Sequence, residues 1–335
     1  MTIPLLRAVA AEAGVACDVL CSEAMAAVLK GCPYVENILI EPKGLRARLA
    51  LLKPYNRVIL LRKSVTWAIL AQLAGVAERW GYDKQRWPWG YRRWGVGLTQ
   101  VSTYPHRQEK QPMVSSHLSL LLSEKKTSQI VSKAPSQHDT HLELWPLEQD
   151  KASIQTLLKA HGVPTGARLA GVHAVAGSHG KTVPPKTLIP AIRRLHRAGF
   201  YIVMSGLSED WDSNEALAKS AGVAAINLAG KTSIGELIAL CGELSFLLSL
   251  DSGPLHVASA MNVAAIVGVY GPTNEHQWGV RQPGVWFRAV SNPLDCRPCY
   301  AKVCEHNRCK LDLKAEWVEK AVQDGLNVLR STERM

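Results

Sequence analysis

The chain has no run of about 18 apolar residues, the length a helix needs to cross a bilayer. Its start does not read as a secretory leader either. Met1 leads at once into Pro4-Leu5-Leu6-Arg7, an amphipathic pattern without a charged segment followed by an apolar one. A cytoplasmic protein is therefore expected, and in that compartment the eight cysteines do not demand disulfides. Acidic side chains are in deficit: 28 Asp and Glu face 39 Lys and Arg, for a formal charge of +11. That balance favours nucleotides, nucleic acid or an acidic membrane surface as partners. Nucleic acid is disfavoured, because no helix-turn-helix, zinc-finger or aromatic RNA-binding signature is present and the basic residues form no dense run. A Gly-x-Gly-x-x-Gly after an early strand is also missing, which argues against a nicotinamide-dependent oxidoreductase. A P-loop is excluded by spacing: Gly180-Lys181-Thr182 is present, but the position six before Lys181, where that motif needs glycine, is Val175.

At 335 residues the chain is too long for one ordinary core and suits two lobes. From residue 165 onward, apolar runs alternate with helical patterns. Leu169 to Val175, Tyr201 to Ser205, Val223 to Leu228, Leu244 to Leu250 and Ala264 to Tyr270 read as strands. Helices are predicted over Pro184 to Arg197, Asn214 to Ala221, Ile234 to Cys241 and Pro254 to Met261. This alternation predicts a parallel sheet covered on both faces, with ligands beyond the carboxyl ends of its strands. The first part repeats the theme, with strands at Val15 to Leu20, Val35 to Ile40 and Val58 to Leu61. It opens with a helix, Pro4 to Ala13, where a doubly wound domain normally opens with a central strand. Residues 105–141 read as polar loops around a helix at Leu118 to Leu122, and a breaker-rich stretch near Gly162 to Gly166 places a hinge at 151–165. The expected domains are thus 1–150 and 166–312, with a closing helix over Ala315 to Leu329 within 313–335.

The segment from Leu250 to His256 carries the sharpest signal. An apolar strand runs into Asp251-Ser252-Gly253, and Pro254 stands where the first turn of a helix would be. Such a helix end offers free backbone N–H groups to a phosphate, although an ordinary capped helix would look the same. A second small-residue loop, His173 to Thr182, carries Lys181 just before a proline-initiated helix. Two phosphate-type loops at two strand ends together describe a nucleoside diphosphate site. Ser205-Gly206-Leu207-Ser208-Glu209-Asp210 follows another strand; its carboxylates could hold a ribose diol, or simply complement a helix dipole.

Lys181-x-x-Pro184, the Ser205-Gly206 turn, Asp251-Ser252-Gly253-x-x-His256 and Tyr270-Gly271-Pro272-Thr273 resemble, in order and spacing, the motifs of glycosyltransferase family 9, the heptosyltransferases of lipopolysaccharide cores. The resemblance implies an α/β fold of GT-B type, two Rossmann-like doubly wound parallel-sheet domains facing a cleft. It implies transfer of a heptose or related sugar from an ADP-sugar to an anionic lipopolysaccharide-core lipid, with inversion, no metal and no cofactor. By motif match Lys181 would meet the phosphates and act in catalysis, Glu209 or Asp210 the ribose, and Ser252, Gly253 and His256 the pyrophosphate and sugar. Asp251 would set the turn, and Thr273 would border the donor. In that family a first strand and a Gly-Asp turn, whose Asp is regarded as the catalytic base, precede the segment resembling Pro4-Leu5-Leu6-Arg7. The expectation is that both lie before Met1, so that a truncated, catalytically impaired nucleotide-binding remnant is the alternative to an active transferase.

Cys296, Cys299, Cys304 and Cys309 could by spacing hold zinc, but they lack the usual paired knuckles and read as reduced structural thiols. Trp87, Trp89 and Trp94 among Arg92 and Arg93 suit a membrane interface with anionic headgroups, which predicts peripheral contact with the inner membrane. Trp67 and Trp80, with apolar neighbours, read as core.

Overall fold

A computed structural model describes residues 2–62, 64–83, 97–103, 109–122, 140–176, 181–301 and 303–332. Trp87, Trp89, Trp94, Arg92 and Arg93 lie outside the described residues. The chain divides into two compact units. The first comprises Met1–Ala26 and Pro33–Thr140, the second Ala27–Cys32 and His141–Met335.

In sequence order the first unit holds α1 (Ile3–Ala13), β1 (Cys17–Cys21), α2 (Glu23–Leu29, whose last residues group with the second unit), β2 (Val35–Ile40), α3 (Leu45–Leu52) and β3 (Arg57–Leu60). It continues through α4 (Val65–Leu73), β4 (Glu78–Asp83), β5 (Gln100–Thr103) and α5 (Met113–Leu122). Among the described residues its strands form two parallel sheets, β1-β2 and β3-β4-β5. Leu52, Leu70, Ala71 and Val76 make a small core between α3, α4 and the strands. Trp80 is buried, as its apolar neighbours predict, with the Arg57 guanidinium 4.0 Å from its ring centroid. Trp67 is half-buried and faces Arg48.

The second unit contains α6 (Glu148–Ala160), β6 (Leu169–His173), α7 (Pro185–Arg197), β7 (Tyr201–Met204), α8 (Trp211–Ala221), β8 (Ala225–Asn227), α9 (Ile234–Glu243) and β9 (Leu244–Leu250). It then runs through α10 (Gly253–Ala260), β10 (Ala265–Tyr270), α11 (Glu275–Trp278), β11 (Trp286–Ser291), α12 (Arg308–Leu311) and α13 (Ala315–Thr332). The stretch 151–165 lies inside this unit: most of it is α6, whose Ile154 and Leu158 are buried against the α9 side.

All six strands pair in parallel, in the order β11-β10-β9-β6-β7-β8. Strands covered on both faces read as continuous apolar runs, and β10, Ala-Ile-Val-Gly-Val-Tyr, is buried throughout. Alternation then sorts the faces. Phe246, Leu248 and Leu250 of β9 join the core under α7 and α13, while Leu247 points to the core under α6, α9 and α10. Helix α7 shows why the pattern works: Leu188, Ala191, Ile192 and Leu195 recur at helical spacing and are buried, Pro185 opens the helix, and Gly199 follows it at φ +86°. Helix α9 starts on a capping box, in which Ser233 Oγ accepts the Glu236 N–H at 3.2 Å and Glu236 Oε2 accepts the Ser233 N–H at 2.7 Å.

Candidate functional site

Strand β6 enters the second sheet first, and the chain then builds outward to β7 and β8 before returning to place β9 on the other side of β6. The boundary between β6 and β9 is therefore the point where the topology reverses, and loops leaving neighbouring strands there diverge and open a crevice at the carboxyl ends. The loop after β6 carries Lys181, and Asp251 directly follows β9. Though 70 positions apart, the two meet: Lys181 Nζ lies 2.7 Å from Asp251 Oδ2 and 3.2 Å from the Asp251 carbonyl. Thr273, from the loop after β10, donates its hydroxyl to the same Oδ2 at 2.6 Å. Asp251 is buried at 4% exposure, so its charge is met by a cation and a hydroxyl rather than by water.

Helix α10 starts beside this cluster. Ser252 at its N-cap is extended, at φ −152°, but does not cap it; its hydroxyl instead donates to the Leu250 carbonyl at 3.0 Å and lies 3.2 Å from Ser249 Oγ. With no side-chain cap, and with Pro254 lacking an N–H, the N–H groups of Gly253 and Leu255 are left to a ligand or solvent. A Cβ on Gly253 would meet nothing within 4 Å, so this glycine leaves open space at the helix start. His256 sits in the first turn with its Nδ1 buried and unpartnered among the described residues, its ring centroid 6.4 Å from that of Trp278. Burial pushes its pKa down to about 4, with Lys181 adding to the effect and Asp251 opposing it, so the imidazole is neutral near pH 7. A lysine, bare helix N–H groups and a neutral imidazole make an anion site with a polar group in reserve.

Around the neighbouring strand end, His173 Nδ1 lies 3.0 Å from Ser205 Oγ, and burial pushes this histidine also to about 4 against the pull of Asp210. Asp210 Oδ2 accepts the Leu207 N–H at 2.7 Å, closing the turn as a cap. Glu209 is exposed and has no hydrogen bond or ion pair among the described residues. Of the four cysteines of the 296–309 segment, Cys296 is exposed and Cys309 buried. Among the described residues no three His, Cys, Asp or Glu side chains are grouped so as to hold a metal.

A sequence model of glycosyltransferase family 9 (heptosyltransferase) matches residues 45–310. The chain belongs to glycosyltransferase family 9. Within what is known around that family, lipooligosaccharide heptosyltransferase 2 of Campylobacter jejuni is 30% identical over 112 residues, 32% of this chain and 32% of that protein. The match thus spans about a third of that relative's length. The solved structure of E. coli ADP-heptose lps heptosyltransferase II superposes with a TM-score of 0.72 at 20% identity, over 98% of this chain and 95% of that one. E. coli heptosyltransferase WaaC, solved with ADP, gives 0.63 at 18% identity over 97% and 95%. At these identities the structures show a shared fold, and it is the expected one: GT-B type, with two α/β units built on parallel strands.

The family motifs and the geometry converge on Lys181, Asp251, Thr273, Gly253 and His256, which the second unit gathers at one crevice. Glu209 and Asp210 sit one strand end away, beside His173 and Ser205. The contact between His173 and Ser205, and Ser249, were missed by sequence reasoning. A histidine closing a strand and a serine in an apolar strand carry no periodic signal of their own; only the facing strand ends reveal them.

Proposed function

We propose that the chain moves a heptose or related sugar from an ADP-sugar to an anionic lipopolysaccharide-core lipid, inverting the anomeric carbon and using no metal. The carrying observation is the pairing of Lys181 with Asp251 beside the bare N-terminus of α10. As the bond from the sugar to the phosphate breaks, charge builds on the pyrophosphate. Lys181 and the N–H groups of Gly253 and Leu255 are set to meet that charge without reorganisation, and one such donor is commonly worth about 10²–10³ in rate. The neutral imidazole of His256 can hydrogen-bond a sugar hydroxyl or phosphate oxygen through Nδ1. The ADP held by solved WaaC supports an adenine nucleotide, and Glu209 at the adjacent strand end is the carboxylate left to a ribose. Transfer to a lipid acceptor places the protein at the cytoplasmic face of the inner membrane, with Trp87, Trp89, Trp94, Arg92 and Arg93 as the contact; no helix among the described residues is long and apolar enough to cross a bilayer.

The test is thermal unfolding with ADP, with UDP and for Lys181→Ala. ADP at about 100 times its Kd should add about 2.7 kcal/mol of stability, UDP much less, and the variant should lose the response. An equal response to UDP would remove the adenine donor, and indifference to every nucleotide would remove the donor site.

A further inference from the structure

The family motifs leave Arg297 unused, yet its guanidinium engages four acceptors. Its side chain is 7% exposed. Nε donates to the Gly271 carbonyl, Nη1 to the Asn292 carbonyl at 3.2 Å, and Nη2 to the Thr273 carbonyl and to Glu275 Oε2, each at 3.1 Å. Two residues on, the backbone N–H groups of Cys299 and Tyr300 both donate to the Pro272 carbonyl at 3.0 Å. Three consecutive carbonyls, those of Gly271, Pro272 and Thr273, are thus held by one short segment of chain. Glu275 in turn accepts from Ser291 Oγ at 2.9 Å; burial pushes its pKa up, but its hydrogen bonds and the charge of Arg297 outweigh this and hold it below the ordinary value.

The loop so fixed presents the Thr273 hydroxyl, which donates to the Asp251 oxygen that Lys181 faces. A carboxylate paired with one flexible lysine can rotate and let the ammonium swing to water. A hydroxyl donor locked on the same oxygen from a braced loop removes that freedom. Only a guanidinium can reach the separate acceptors on Gly271, Thr273, Asn292 and Glu275 at once; an ammonium offers a point charge without the fork.

We propose that Arg297 is a positioning residue, which acts through Thr273 and Asp251 to hold the Lys181 ammonium at the anion site. The proposal rests on reading that crevice as the donor site, but its first test does not use a nucleotide.

Limited acetylation with acetic anhydride, read by peptide mass spectrometry, would give the labelling rate of Lys181 relative to exposed Lys159. Arg297→Lys and Thr273→Val should each raise that ratio several-fold, and the double variant should raise it no further, because both cut the same chain of contacts. An unchanged ratio in Arg297→Lys, or effects that multiply in the double variant, would overturn the proposal. Should Arg297→Lys fail to melt cooperatively, Glu275→Gln keeps the guanidinium but loosens it. A rise in the ratio would then support the proposal and no rise would overturn it. Titration calorimetry with ADP separates the two readings. A roughly tenfold weaker Kd in Arg297→Lys, about 1.4 kcal/mol of coupling, is the expected result. A wild-type protein that ignores ADP would remove the donor reading while the labelling result on Arg297 stands.

Discussion

Histidine protonation is the chemistry most altered by this fold at the scale of single residues. His117, 2.9 Å from the Tyr82 hydroxyl in the first unit, joins His173 and His256 in the second; burial pushes each from 6.5 down to about 4. Between these values the unfolded chain binds protons that the folded one refuses. Their contribution to stability is therefore fully present above about pH 6.5 and is lost as the pH falls toward 4. Calorimetric melting temperatures should decline across that window, and His256→Asn, which cannot titrate there, should decline less steeply. A flat profile from pH 7 to 4 would show that these imidazoles are protonated in the native state. The same burial was invisible in the sequence, where each is one of eleven histidines. His256 stood out there only through its place in the Asp251 motif.

Turns and caps decide how well each element presents its residues. The loop after β8 leans on the loop after β7: the Gly230 N–H donates to the Gly206 carbonyl at 3.0 Å, and Gly230 has φ +69°. A Cβ there would stand 2.7 Å from the Ser208 Cα, a backbone atom that cannot step aside. Gly230→Ala should therefore cost more than the usual left-handed penalty of about 1–2 kcal/mol, read by urea unfolding, and should weaken nucleotide binding because Glu209 and Asp210 ride on the displaced turn. Ser233→Ala, which removes one half of the α9 capping box, should cost about 1 kcal/mol and leave nucleotide affinity alone. Long periodic elements were legible from the sequence: β2, β9 and α7 fall close to their predicted bounds. Strands β4, β5 and β11 were not. Gln100-Val101-Ser102-Thr103 is short and polar, and Trp286 to Ser291 is an edge strand with a half-exposed face, so neither stands out as an apolar run.

At the scale of the whole molecule the chain comprises two unequal units. The second has a six-stranded sheet with a core on each face, whereas the described strands of the first form sheets of two and three. Two calorimetric transitions are expected, the first unit melting at the lower temperature, and ADP should move the upper transition because ligand binds the folded second unit. A single transition shifted as a whole would mean that the units unfold together. The proposed membrane contact belongs to this scale, since it would sum weak terms over a surface. Replacing Trp87, Trp89 and Trp94 by Ser should abolish binding to anionic liposomes, and unchanged sedimentation with the liposomes would remove the proposed contact.

The sequence by itself determined the alternation of strand and helix, the parallel pairing and the turn chemistry at Asp251, because these depend on residue type, spacing and local backbone preference. It also determined that Lys181 and Asp251 each lie in a loop that follows a strand. Their meeting was decided by the tertiary structure, since strand order is a global property: once β9 lies against β6, the Lys181 ammonium donates at 2.7 Å to a carboxylate 70 positions away. Arg297 shows the same limit. Between two cysteines it reads as part of a thiol motif, and only the approach of its segment to the loop after β10 turns it into the brace of Thr273. Local chemistry is written along the chain, whereas a site is an intersection of segments that burial and sheet order bring together.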